Sequence, residues 1–277
     1  MSSAAPEGKF AEVDGLRLHY LETGAGDPVL MLHGWPTSSY LWRRIVPIVG
    51  EGNRAIALDL PGYGKSDKPL DSSYSFRFYD RILSGFFDQI GVDRVGLAVH
   101  DLGGPVGLYW AAQHPERVTK LALLNTLVFS RPSPAVVMFL ASARLPGVRS
   151  WLTSPAGLRF AMRLGVHDKS RLSEEAIAAY LEPFASDGAR RALRKAGTGL
   201  HPGGLREIEA WLPRIDVPVT LLYGEKDRIL PDVARTMRKV SERVPQAELS
   251  TLPDAGHFCQ EECPEEIGEA LSAFFRA

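Results

Sequence analysis

The chain has 277 residues, 45% of them hydrophobic and 23% charged, which excludes a disordered, collagen-like or disulfide-scaffold protein. With 32 Lys and Arg against 33 Asp and Glu, the net charge of −1 gives no field that would draw the chain to nucleic acid or an anionic membrane. A small neutral organic molecule is the partner such a balance suggests. The opening MSSAAPEGKF lacks a basic start followed by an apolar run, and no run of ~18 apolar residues occurs, so a cytoplasmic protein is expected. Cys259 and Cys263 are too few for a disulfide framework and lack histidines at metal-ligand spacing, so free thiols and no bound metal are expected.

In chain order, Phe10–Val13 and Leu16–Leu21 flank Asp14-Gly15, a strong hairpin signal. Short apolar runs bounded by Gly, Pro or charge follow at Pro28–Leu32, Arg54–Leu58, Arg94–Val99, Val118–Leu124 and Val217–Tyr223, and a further run precedes Asp254. These read as strands buried on both faces of a parallel sheet, with the hairpin making the sheet mixed. Helical patterns lie between them at Tyr40–Val49, Tyr74–Ile90, Gly104–Gln113, Pro231–Val244 and Pro264–Phe275. In the second of these, Phe78, Ile82, Phe86 and Ile90 fall on one face. Alternating strands and helices define an α/β protein. From 128 to 212 no buried strand is evident, and short helical segments are punctuated by Pro132, Pro134, Pro146, Pro155, Pro183 and Pro202. The expected division is a core of 1–127 and 213–277 with a helical cap of 128–212 over the sheet's carboxyl edge, where open α/β sheets bind ligands.

Arg94–Gly107 runs from a buried strand into a Gly-rich turn and then a helix, the setting of a nucleophile elbow. Asp101 holds the position a serine would take, with Val99 two residues before it in place of the usual glycine. Gly103 and Gly104 would let the helix approach the strand, and the helix N-terminus is expected to favour the ionised carboxylate. Read alone, Asp101 is also a good helix N-cap. Two later segments, Gly224-Glu225-Lys226-Asp227 and Asp254-Ala255-Gly256-His257-Phe258, then supply an acid and a histidine after strand-like runs, in the order nucleophile, acid, histidine.

With these residues in hand, the chain resembles the α/β-hydrolase superfamily, and within it the aspartate-nucleophile branch of epoxide hydrolases and haloalkane dehalogenases. The motifs that carry the resemblance run from His33 to Arg43 (HGWPTSSYLWR), from Pro61 to Pro69 (PGYGKSDKP), from His100 to Gly104 (HDLGG) and from Gly256 to Phe258 (GHF). The match covers about residues 10–125 and 213–277; the cap matches poorly. It implies a mostly parallel eight-stranded sheet flanked by helices with a helical cap insertion. Asp101 would be the nucleophile, His257 the base, Asp227 its orienting acid, and the backbone N–H groups of Trp35 and Leu102 the oxyanion hole. No cofactor is implied; the partners are the substrate and water, and monomer and homodimer both stay open.

A carboxylate that attacks a carbonyl yields a reversible anhydride, whereas attack on an sp³ carbon yields a stable alkyl ester, so substitution at carbon is expected. In the family, epoxide opening uses two cap tyrosines. A departing halide uses an indole directly after the nucleophile, here Leu102, and an Asn after His-Gly, here Trp35, whose own indole is the substitute donor. Between 128 and 212 the chain has one tyrosine, Tyr180, with His167 and His201 as further proton donors. Because both usual halide donors are missing, the expectation is an epoxide hydrolase with an atypical cap. The alternatives are a haloalkane dehalogenase and, more remotely, a non-catalytic small-molecule receptor.

Overall fold

The computed structural model describes residue 6 and residues 8–131, 134–142 and 145–277; Pro132 and the first five residues lie outside this set. Strands β1 (Gly8–Val13) and β2 (Leu16–Thr23) pair antiparallel across Asp14 and Gly15, whose φ values of +50° and +74° provide the two left-handed residues of a type I′ turn. The next strands are β3 (Pro28–Leu32), β4 (Arg54–Leu58), β5 (Val95–Asp101), β6 (Val118–Thr126), β7 (Val219–Gly224) and β8 (Ala247–Leu252). They form one eight-stranded sheet in the order β1-β2-β4-β3-β5-β6-β7-β8, parallel from β4 to β8 and antiparallel at β1 and β2.

The period of two along each buried strand divides the core between the two sheet faces. Leu30, Leu32, Leu97 and Val99 enter one cluster with Phe86, Trp110 and Met237. Val29, Met31 and Ala98 enter the other with Val49, Ile267 and Leu271. Helices α2 (Phe76–Gln89), α3 (Gly103–Gln113) and α10 (Val233–Arg243) cover the first face; α1 (Val46–Val49) and α12 (Pro264–Arg276) cover the second. The amphipathic segment expected over 74–90 becomes α2, capped by the Ser75 hydroxyl accepting from Phe78 N–H. Phe78, Ile82 and Phe86 are buried in its stripe, with Ile90 as the half-buried C-cap.

Two elements differ from the sequence reading. The helix expected over Tyr40–Val49 is a 3₁₀ turn at Ser39–Trp42 followed by the four-residue α1, because Pro47 has no N–H to continue the ladder. Strand β8 is an edge strand whose Glu248, Leu249 and Ser250 are exposed, so it lacks the apolar run that marks its neighbours.

Between β6 and β7 the described chain is helical: α4 (Pro134–Ser142), α5 (Pro146–Leu152), α6 (Pro155–Gly165), α7 (Glu174–Leu181), α8 (Asp187–Thr198) and α9 (Pro202–Trp211). The prolines open these helices, since Pro146, Pro155 and Pro202 stand at first-turn positions where the missing N–H costs nothing. Ser154, Ser173 and Ser186 accept from the first-turn amides of α6, α7 and α8. A short helix, α11 (Cys259–Glu262), follows His257 and ties this region to the core. Glu261 takes both guanidinium nitrogens of Arg43 and the Tyr180 hydroxyl of α7, and Glu262 accepts from the amides of His167, Asp168 and Gly256. Cys259 is buried and Cys263 half-buried, and the two are not bonded to each other.

Candidate functional site

Strand β5 ends at the centre of the sheet's carboxyl edge on Asp101, whose φ of +48° is left-handed, a strained conformation for a residue with a side chain. The turn depends on bare backbone behind it. A Cβ on Gly103 would lie 2.5 Å from the His33 carbonyl oxygen, and one on Gly104 would overlap the Thr126 hydroxyl. Asp101 is not the cap of α3; Leu102 is, so the carboxylate is free to turn toward the loop after β3. There Asp101 Oδ2 accepts from Trp35 N–H at 2.8 Å, and the Leu102 amide also acts to lower the carboxylate's pKa. Against the expectation from the helix N-terminus, the Asp101 pKa lies above the ordinary value. Burial first, and then the Asp227 charge, together raise it by more than His257 and the two amides lower it.

The loop carrying Trp35 is fixed from below. His33 Nδ1 donates to the Gly34 carbonyl at 2.9 Å and its Nε2 accepts from Leu60 N–H at 3.1 Å, a neutral tautomer in keeping with a pKa lowered chiefly by burial. Buried Asp59 accepts from Ser39 N–H, Lys65 N–H and His19 Nδ1. Burial raises the Asp59 pKa, but the His19 contacts and amide bonds overcome it and bring it to about 2.

His257, fully buried, joins the group from the loop after β8. Its Nδ1 donates to Asp227 Oδ2 at 2.8 Å, and its Nε2 stands 3.9 Å from Asp101 Oδ1 with no hydrogen-bond partner among the described residues. Asp227, after β7, is saturated: Oδ1 accepts from Ile229 and Leu230 N–H, and Oδ2 from Asn125 Nδ2 as well as from His257. Burial pulls the His257 pKa down, but the adjacent Asp227 and the nearby Asp101 carry it above the ordinary histidine value. Burial pushes Asp227 up, and His257, Asn125 and the amide bonds bring it below the usual aspartate value.

Two residues of this group carry no role in the sequence reading. Asn125 lies where the β5–β6 register slips, with Asp101 opposite Thr126 and His100 opposite Leu124, so it bulges out with φ +34°. Its amide is thereby presented to Asp227 on one side and to Gly224 N–H on the other. His100 donates from Nε2 to the His257 carbonyl at 2.8 Å and lies with its ring 4.7 Å from the His257 ring. A register slip is invisible in a sequence, and Asn125 is legible only as the polar residue that interrupts the β6 run.

Asp101 and Leu102 border a cavity of about 540 Å³ whose wall is mostly apolar, with Trp35, Phe129, Trp151, Phe160 and Leu230 among its lining. The three cap candidates for proton donation are not in it. Tyr180 is buried in the second core cluster, with its hydroxyl on Glu261 and its ring edge-on to Tyr40. His167 is held through its backbone to Glu262, and exposed His201 caps α9 while its neighbours Leu200 and Pro202 line the wall. Among the described residues no tyrosine lines this cavity, no three His, Cys, Asp or Glu side chains are grouped to hold a metal ion, and no helix is long and apolar enough to cross a membrane.

Eight strands in this order, with a left-handed aspartate at the tip of the central one and a His–Asp pair delivered from the loops after the last two strands, define a hydrolase of known architecture. Residues 27–264 match the alpha/beta hydrolase fold family, and the chain belongs to it. Within that family it falls in the branch of haloalkane dehalogenases and epoxide hydrolases. It is 34% identical to a haloalkane dehalogenase of Sphingobium indicum, over 98% of this chain and 95% of that protein. An uncharacterized hydrolase of Bacillus subtilis, YugF, is 28% identical over the full length of both. The crystal structure of the haloalkane dehalogenase DbeA from Bradyrhizobium elkani superposes with a TM-score of 0.85 at 28% identity, covering 97% of each chain.

Proposed function

We propose that the protein is a haloalkane dehalogenase-type hydrolase with Asp101 as nucleophile, and that the epoxide expectation gives way to its alternative. The observation that carries this reading is the Asp101 carboxylate at the base of an apolar cavity from which Tyr180, His167 and His201 are absent. An opening epoxide leaves an alkoxide that needs a proton from the cap; a halide leaves as a stable anion and needs only N–H donors.

Asp101 attacks the halogen-bearing carbon from behind. The carbon–oxygen bond forms as the carbon–halogen bond breaks, and the electron pair departs with the halide. Trp35, whose residue borders the cavity, is the indole we assign to that anion. In the second step His257 Nε2 takes a proton from water, the hydroxide adds to the Asp101 ester carbon, and the tetrahedral oxyanion rests on the Trp35 and Leu102 amides that hold the free carboxylate. Collapse passes the proton of the added hydroxyl to the leaving alkoxide, which releases the alcohol and regenerates the Asp101 carboxylate; Asp227 at Nδ1 stabilises the charge on His257 until Nε2 gives its proton to solvent.

The test is the intact mass of His257→Ala after separate incubation with haloalkanes and with epoxides. A persistent adduct equal to the haloalkane minus its halide is expected. An adduct equal to the whole epoxide, with none from haloalkanes, would return the protein to epoxide chemistry; no adduct from either would favour a binding protein.

A further inference from the structure

A second cavity, of about 460 Å³, abuts the first across Trp35, Leu152 and Gly197, which line both. Its character is opposite. It is an open cleft lined by Arg149 from α5 and Arg191, Arg194 and Lys195 from α8, of which Arg194 is half-buried and the other three exposed, together with Leu70, Thr153 and Thr198; among the described residues no carboxylate lines it. Asp187, at the start of α8, engages Arg190 and Arg191. Among the described residues no carboxylate pairs with Arg149, Arg194 or Lys195: Arg194 donates to the Thr153 hydroxyl and Lys195 to the Leu70 carbonyl. Burial chiefly, and then repulsion from Arg149, Arg190 and Arg191, press the Arg194 pKa below the ordinary arginine value, with Asp187 pulling the other way. The overall charge of −1 thus conceals a local concentration of cations beside the apolar chamber.

The partition between the two chambers is thin. A Cβ on Gly197 would lie 3.0 Å from Trp35 Cδ1 and 3.2 Å from Nε1, so the indole rests against the bare backbone of α8, one turn beyond Arg194. The indole packed on Gly197 closes the wall at that point, so a substrate whose reacting carbon lies at Asp101 meets the four cations where its chain leaves the apolar cavity along the border that Trp35 and Leu152 share with both cavities.

We propose that the basic chamber is a recognition subsite for a carboxylate on the end of the substrate chain, so that the preferred substrates are haloalkanoates substituted far from their carboxylate rather than plain haloalkanes. This rests on the reading of Asp101 as the nucleophile, and it adds a charged class of substrate to the neutral one expected from composition. The apolar chamber holds the methylene chain, and the guanidiniums of Arg149 and Arg194 meet the carboxylate in the two-pronged geometry that arginine offers.

Binding and turnover test it separately. Calorimetric titration compares straight-chain alkanoates with their neutral primary amides over a graded series of lengths. The wild-type protein is expected to bind the best alkanoate about tenfold tighter than its amide. That preference should fall toward unity at high salt and in Arg149→Gln/Arg194→Gln. In the same variant KM for a terminally brominated alkanoate should rise by about the same factor with kcat unchanged, while a neutral bromoalkane of equal length keeps its kcat/KM. Equal affinity for acid and amide in the wild type, or a preference that survives both salt and the double substitution, overturns the proposal. Persistence of the carboxylate preference in a protein that alkylates with neither bromide would sustain the subsite and refute the nucleophile reading.

Discussion

Replacing Tyr180 with Phe separates a proton donor from a structural anchor. The substitution deletes one hydroxyl, whose hydrogen bond goes to Glu261 at 2.5 Å in a fully buried position. A hydrogen bond to a charged partner contributes about 1.5–3 kcal/mol. Glu261 keeps both contacts to Arg43, at 2.5 and 2.9 Å, so its charge stays compensated and the loss belongs at the lower end, about 1.5 kcal/mol. For 277 residues at ~2.1 cal/mol/K per residue, the unfolding entropy is about 0.6 kcal/mol/K, which places the fall in Tm near 3 °C. Differential scanning calorimetry reads this directly, and kcat/KM toward a haloalkane should stay within about twofold of the wild type. If Tyr180→Phe instead left Tm unchanged and abolished opening of an epoxide that the wild-type enzyme accepts, the hydroxyl would be the acid and the burial argument would fail.

Asp101→Ala should form no adduct with any alkylating substrate, as read by intact mass; a freshly prepared variant that still turns over would remove Asp101 from the mechanism. Because His257 must be neutral to accept a proton and Asp227 is the main influence raising its pKa, single-turnover ester hydrolysis should climb with pH as His257 loses its proton, and Asp227→Asn should move that midpoint down. A pH-independent rate would contradict the base assignment. Asn125→Ala takes one donor from Asp227 and leaves Gly224 N–H unpaired, which at about 1–3 kcal/mol corresponds to a loss of roughly 10–100-fold in ester hydrolysis with less effect on alkylation. Asp59, lowered from 3.8 to about 2, contributes stability that is fully present above 3.8 and is lost as pH falls toward 2. The wild-type protein should therefore lose about 2 kcal/mol more than Asp59→Asn over that interval in urea unfolding curves.

Strands β3 and β4 were legible to the residue because burial on both faces leaves an unbroken apolar run between polar turns. The segments of Asp101 and Asp227 were legible because each follows a buried strand that ends in glycine-bearing sequence, and that of His257 because it comes after them in the order nucleophile, acid, histidine. What stayed hidden depends on three-dimensional register. Asn125 acquires its partner only through a bulge, and β8 is an edge strand with half its side chains in water. Whether Tyr180 faces the cavity or the core depends on the rotation of α7, which its short apolar sequence leaves open. The preference for epoxide chemistry rested instead on Leu102 and Trp35 standing where the usual halide donors would be, and Tyr180 in the core removes the proton donor that preference needed.

The Glu261–Glu262 pair has a consequence for anyone recombining these proteins. Both carboxylates belong in sequence to the core, but their hydrogen-bond partners include Tyr180 and the amides of His167 and Asp168 between β6 and β7. Exchanging that stretch for a foreign one by cutting at 128 and 212 would take the Tyr180 hydroxyl and the His167 and Asp168 amides from two nearly water-free acids four and five residues after His257, leaving Glu261 with Arg43 and Glu262 with the Gly256 N–H. Each lost hydrogen bond to a charged carboxylate costs about 1.5–3 kcal/mol, and the damage would fall beside the histidine. The modular unit for grafting is therefore the stretch together with α11, a boundary drawn by hydrogen bonds and not by chain order.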